Sequence, residues 1–133
     1  KNLTLTYKHL EHLIDAFMPR TRRNNTYCKT LSGVSDERIK SVRTIDGLRE
    51  VFNNDRYHKV NFEAYSRHRT VEFRQHSGTT NFTKMENWIR FLNGLITFAK
   101  RSSLPSRMTL EELPFLDGKQ KLFFKLRTKK LAV

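Results

Sequence analysis

Between residues 59 and 76 the chain carries two runs in which apolar and polar side chains alternate. In the first, Val60, Phe62 and Ala64 alternate with Asn61, Glu63 and Tyr65. In the second, Val71 and Phe73 alternate with Glu72, Arg74 and His76. Period-two alternation belongs to strands with one buried face. The stretch "SRHR" between the runs is of turn size, so the pattern predicts an antiparallel hairpin over about 59–65 and 70–76. A lone hairpin is marginal in water, so its apolar face needs cover.

Helices supply that cover. After "HSGTT", Asn81 or Thr83 opens a run in which Trp88, Phe91, Leu92, Leu95, Ile96 and Ala99 make one broad apolar stripe, reaching about Arg101. Leu10, Leu13, Ile14 and Phe17 predict an opening helix, capped by Thr4 or Thr6 and closed before Met18-Pro19. Ile45, Leu48 and Phe52 mark a short helix capped by Thr44 and ended at Asn53-Asn54. Thr109 caps "LEEL", and a last amphipathic piece carries Leu122, Phe123 and Leu126. "RTRRNNTYCKTLSG" has no apolar period and reads as an ordered loop or short strand. The fold class is α+β: one domain over 1–133, a small antiparallel sheet packed on one face by helices.

If Val60, Phe62, Val71 and Phe73 face the Trp88 helix, then Asn61, Glu63, Glu72, Arg74 and His76 share the other face. Such a face has two readings. It is a solvated surface with cross-strand charge pairs of roughly 0.2–1 kcal/mol each, or it is the floor of a site for a metal or a polyphosphate. Arg22 and Arg23, followed by Tyr27, suit phosphate oxygens, although a lone arginine doublet more often lies on the surface. "HSGTTN" lacks the P-loop pattern. A helix N-terminus beside Arg74 and His76 would still be hospitable to an anion. No His pair has metal-ligand spacing of the HExxH type, and no local Cys-His signature accompanies Cys28.

Lys and Arg number 26 against 13 Asp and Glu, a net charge of +13 that favours anionic partners: nucleic acid, nucleotide phosphates or acidic polymers. No apolar run approaches the ~20 residues of a membrane span, and no membrane partner is expected. A single cysteine and a polar, helix-like start without a leader point to a reducing, cytoplasmic setting. The abrupt start without Met gives the expectation that the chain is a fragment.

"TVEFRQHSGTTN" followed by "WIRFLNGLITFA" resembles the C-terminal signature of the amidoligase family, within the glutamine synthetase-like carboxylate–amine ligases. That signature is a Thr-x-Glu-Phe-Arg strand, a Gly-Thr turn and a helix with a Trp near its start. "FMPRTRRNNTYC" is similar to the family's Pro-x-x-Arg-Arg-x-x-x-Tyr-Cys segment, and "YHKVNFEAYSRHRTVEFR" to its Asn-bearing strand leading into the Glu-Phe-Arg strand. The three segments occur in family order.

The resemblance implies ATP- and Mg²⁺-dependent activation of a carboxylate as an acyl phosphate, which an amine, a peptide's among the candidates, attacks to give an amide. It implies a glutamine synthetase-like fold with the site on the open face of the sheet. Glu72, with Glu63, would bind the metal. Arg74, Arg22 and Arg23 would meet phosphoryl charge, with Asn61, Tyr27 and His76 supporting the nucleotide. The family's upstream strand with paired acidic residues and its Gly-x-His-Val-His segment do not occur here. The expectation is therefore the C-terminal half of a ligase domain, inactive alone and completed by an N-terminal half or a partner chain. A non-catalytic module derived from that fold and a basic nucleic-acid-binding domain are the alternatives.

Overall fold

The computed structural model describes residues 1–132, in which six α-helices accompany a two-stranded antiparallel sheet, the expected α+β class. In chain order these are α1 (Asn2–Ala16), α2 (Asp36–Ser41), α3 (Ile45–Val51), β1 (Val60–Asn61), α4 (Ala64–His68), β2 (Glu72–Phe73), α5 (Phe82–Ala99) and α6 (Gly118–Leu131). Single 3-10 turns stand at Arg20–Arg22 and Leu110–Glu112. Among the described residues no helix is long and apolar enough to cross a membrane.

The hairpin forms in the register Val60↔Phe73 and Asn61↔Glu72, and its ladder ends after those two pairs. Ala64 and Tyr65 leave the strand because the Asn61 side-chain oxygen accepts the Glu63 N–H at 2.9 Å, a local turn that starts α4. Arg69, at φ 56°, ends α4 in the left-handed region. A short helix therefore replaces the four-residue turn expected at "SRHR". On its other edge the β1 strand meets Lys29: Lys29 donates its N–H to the Tyr57 carbonyl at 2.8 Å, and the Lys59 N–H donates to the Lys29 carbonyl at 2.9 Å. The segment around Tyr27 is thus an ordered loop carrying isolated bridges, Asn25 to Cys28 and Lys29 to His58.

The element behind the hairpin is α1, not the Trp88 helix. Tyr7 lies 6.0 Å from Phe73, ring centre to ring centre, and Phe62 packs 6.5 Å from Phe52, the C-cap of α3. α5 packs on α1 and α6, and its Trp88 stacks on Phe91 at 5.5 Å and meets Phe17 edge-on. α1 is buried over most of its circumference, which is how a helix serves the sheet and α5 together. That burial also explains why neither threonine caps it. Lys1 stands at the N-cap, Thr4 is enclosed, and the Thr6 hydroxyl accepts the Leu104 N–H from a loop 98 residues on.

Other caps fall where local chemistry puts them. Thr44 accepts the Gly47 N–H and Asn81 accepts the Lys84 N–H, each at 3.0 Å. In α6 the phase differs from the expected one. Phe124 is buried, 4.4 Å from Phe17, while Leu122 and Leu126 are each 57% exposed. Gln120 and Phe124, one turn apart, set that phase, and an Asp117–Gln120 capping box starts the helix.

Candidate active site

The register places Asn61 and Glu72 side by side on the face turned away from α1. Together with Glu63 and Arg74 they line one open cavity of about 690 Å³. Glu72 and Arg74 meet as an ion pair at 2.6 Å, on consecutive positions of the same strand face. The Arg74 guanidinium also sits 5.2 Å above the Tyr57 ring, and its Nε reaches toward the Tyr27 carbonyl at 3.5 Å. Tyr57 is gripped a second time by Arg56, whose guanidinium donates to its hydroxyl at 2.7 Å. That hydroxyl bond raises the Arg56 pKa. Arg67 and His68 of α4 complete the rim.

Glu63 is the most constrained carboxylate in the cavity. Arg49 of α3 holds its Oε2 at 2.5 Å, which raises the Arg49 pKa and ties α3 to the start of α4. Its other oxygen, Oε1, is buried with no hydrogen-bond partner. A buried carboxylate oxygen left unpaired is costly, and it marks a place for a cation or a donor.

The remaining expected site residues lie elsewhere. Arg22 turns its guanidinium on backbone, donating to the carbonyls of Arg74 and of Gln75, the latter at 3.2 Å. Arg23 donates to the Met18 carbonyl at 3.0 Å and toward that of Leu131, tying the end of α1 to the end of α6. Neither lines the cavity; both guanidiniums are engaged on backbone carbonyls instead. Tyr27 is 63% exposed and packs edge-on against Tyr57 at 5.5 Å; it supports the cavity wall through Tyr57 and its own carbonyl.

His76 leaves the shared face altogether. Its ring lies 5.2 Å from Trp88, and its Nδ1 is bonded to the Ser77 carbonyl at 2.6 Å. The alternation fails there because the ladder has already ended at Phe73, so the backbone is free to turn. Burial pushes the His76 pKa down, helped by Arg127, Lys84 and Arg22, which favours the neutral ring.

Sequence reasoning missed Arg56, Tyr57, Arg67 and His68 as cavity residues. The signal available was "DRYHK", a cation–aromatic run leading straight into β1; α4 is too short to show a period. It also missed Lys59 and Gln75, both wholly buried beneath the hairpin. Among the described residues no group of three or more His, Cys, Asp or Glu side chains could hold a metal ion by itself.

A family model described as "Putative amidoligase enzyme" matches residues 1–96. No curated protein and no solved structure matches the chain. The family match contains the whole α1 to α4 framework, the hairpin and most of α5, and so every residue of the cavity. By that match over most of its length, the chain belongs to the amidoligase family.

Proposed function

We propose that this chain forms the phosphate-facing wall of an ATP- and Mg²⁺-dependent carboxylate–amine ligase that works through an acyl phosphate. The observation that carries the reading is the convergence of Glu72, Arg74, Asn61 and Glu63 on one cavity. A carboxylate, an amide and a guanidinium in one open concavity make a phosphate–metal donor set, and the family supports ligase chemistry.

The residues fit Mg²⁺ as an ion shared with phosphate. Mg²⁺ is commonly held by one or two carboxylates plus substrate phosphates, and Glu72 with the unpaired Oε1 of Glu63 supplies that number. Bound there, the metal would neutralise phosphate charge. Arg74 stabilises the charge on the transferring phosphoryl group, exchanging its Glu72 partner for phosphate oxygens. Asn61 orients the nucleotide from the neighbouring strand, and Arg56 and Arg67 hold the outlying anionic groups. The carboxylate and amine partners enter from the open side of the cavity. A two-metal site needs further carboxylates, so in this reading another segment or a partner chain completes it, and the chain alone binds nucleotide without turnover.

The test is a calorimetric titration of Mg·ATP into the 133-residue chain and two variants. Glu72→Gln is expected to abolish the Mg²⁺ dependence of binding with little change in unfolding temperature. Arg74→Lys, which loses the forked donor geometry, is expected to weaken binding about tenfold. Unchanged Mg·ATP affinity in both variants would refute the assignment.

A further inference from the structure

We infer that Gln75 is a positioning residue for Arg74, fixed by a buried polar chain that runs back to α1. The inference rests on the reading above, in which Arg74 meets bound phosphate.

Gln75 is wholly buried, so both ends of its amide need partners. The Asp15 carboxylate can only accept, so the Gln75 nitrogen must face it; the Gln75 carbonyl is left to accept the Tyr7 hydroxyl at 2.8 Å. Asp15 also takes the Lys59 ammonium at 2.8 Å, and Lys59 reaches Glu11 at 3.0 Å. Glu11 is itself fully engaged, by the Thr30 hydroxyl at 2.6 Å and the Leu31 N–H at 2.5 Å. Burial, with the charges of Glu11, Cys28 and Asp15, raises the Tyr7 pKa well above its ordinary value, so the hydroxyl stays a donor.

This chain closes around Arg74. The Arg74 N–H donates to the Lys59 carbonyl at 2.9 Å, the Arg74 carbonyl accepts from Arg22, and the next side chain is anchored to α1. None of Tyr7, Asp15, Lys59 and Gln75 lines the cavity, so any effect they have on a ligand passes through the strand. Replacing a whole buried ion-pair cluster by well-packed apolar residues is often neutral for stability, so stability alone does not account for the polar chain. What the polar chain adds is direction: a slip of one residue would send Gln75 into the cavity and Arg74 against α1, stranding every partner named.

A double-mutant cycle on Mg·ATP affinity tests this. Tyr7→Phe removes a single oxygen and keeps the ring against Phe73; Gln75→Leu removes the amide. Each is expected to weaken binding about three- to tenfold when Arg74 is present and to cost nothing further in an Arg74→Ala background. Equal losses in both backgrounds, or none with Arg74 present, would overturn the positioning role while leaving the site intact. Undiminished binding in Arg74→Ala alone, or no Mg·ATP binding by the parent chain, would overturn the site reading and this inference with it. Should Gln75→Leu fail to fold, Tyr7→Phe carries the cycle.

Discussion

Replacing Lys59 with Met should be among the most severe single perturbations of this fold. The lysine is fully enclosed and pairs with Glu11, 7% exposed at its side chain, and with Asp15, 29% exposed. Met keeps much of the stem volume but removes the charge, leaving two carboxylates one helical turn apart with no cation between them. Removing one partner from a buried ion pair costs about 3–5 kcal/mol. For a chain of 133 residues the unfolding entropy near the midpoint is about 0.28 kcal/mol/K. The midpoint should therefore fall by about 11–18 °C, read by circular dichroism at neutral pH. Lys29→Met is the internal comparison. Its pair with Asp55 has side chains 39% and 22% exposed, a setting worth at most about 1 kcal/mol, or a fall under about 4 °C.

Adding Glu11→Gln and Asp15→Asn to Lys59→Met removes the uncompensated charge and should restore more than half of the lost stability. If Lys59→Met falls no further than Lys29→Met, the ammonium is not the keystone of α1 packing. If the triple variant melts lower still, stability resides in the hydrogen bonds of the carboxylates and not in their charge.

Gly94 faces the Phe115 carbonyl so closely that a Cβ would lie 2.9 Å from it, and Gly94→Ala should destabilise by about 1–3 kcal/mol in denaturant titration. The folded pKa values of His76 and His12 lie below their ordinary 6.5, chiefly through burial. Their contribution is intact above 6.5 and is lost as pH falls through that value toward the folded pKa, because only the unfolded chain then takes up the protons. The melting temperature should drop between about pH 7.5 and 5.5, and His76→Phe, which keeps a ring against Trp88, should flatten that slope. Nucleic-acid binding by a surface of this charge should collapse between about 50 and 200 mM salt, whereas Mg·ATP binding should vanish with chelation of the metal; the reverse pattern would favour the nucleic-acid alternative.

Elements whose determinants are local were legible. The Thr44 and Asn81 caps and the α5 stripe rest on residues within a few positions of each other, and the two alternating runs that pair are sequence neighbours joined by one short connection. So was the meeting of Asn61, Glu72 and Arg74, since alternation and register suffice to bring them together; Glu63 joins them from the N-cap of α4, through the turn that Asn61 closes. What stayed hidden depends on partners far along the chain. Lys59 finds Glu11 across 48 residues, and Gln75 finds Tyr7 across 68. In the sequence neither residue carries any sign of the distant partner it meets. The phase of α6 was ambiguous for another reason: "LFFKL" offers apolar side chains at several angles, and only Phe17 and Phe91 waiting in the core select Phe124.

The dense polarity of "EFRQH" has a physical reason. Glu72 and Arg74 turn to the cavity, Gln75 turns to α1, and His76 turns to Trp88. Apolar packing alone would not fix the strand's orientation, since burial has no preferred direction. Hydrogen bonds do. The two ends of the Gln75 amide fit Asp15 and Tyr7 in one orientation only, and with the Lys59 carbonyl on the Arg74 N–H they leave the guanidinium one side on which to stand. Rigidity of this kind matters little to a solvated surface, where an arginine can search for its partner. It would matter in the phosphate-meeting role proposed above for Arg74, because preorganised donors contribute most where charge develops without reorganisation. The buried polar chain and the open cavity are therefore two faces of one strand arrangement, and the first makes sense chiefly in the presence of the second.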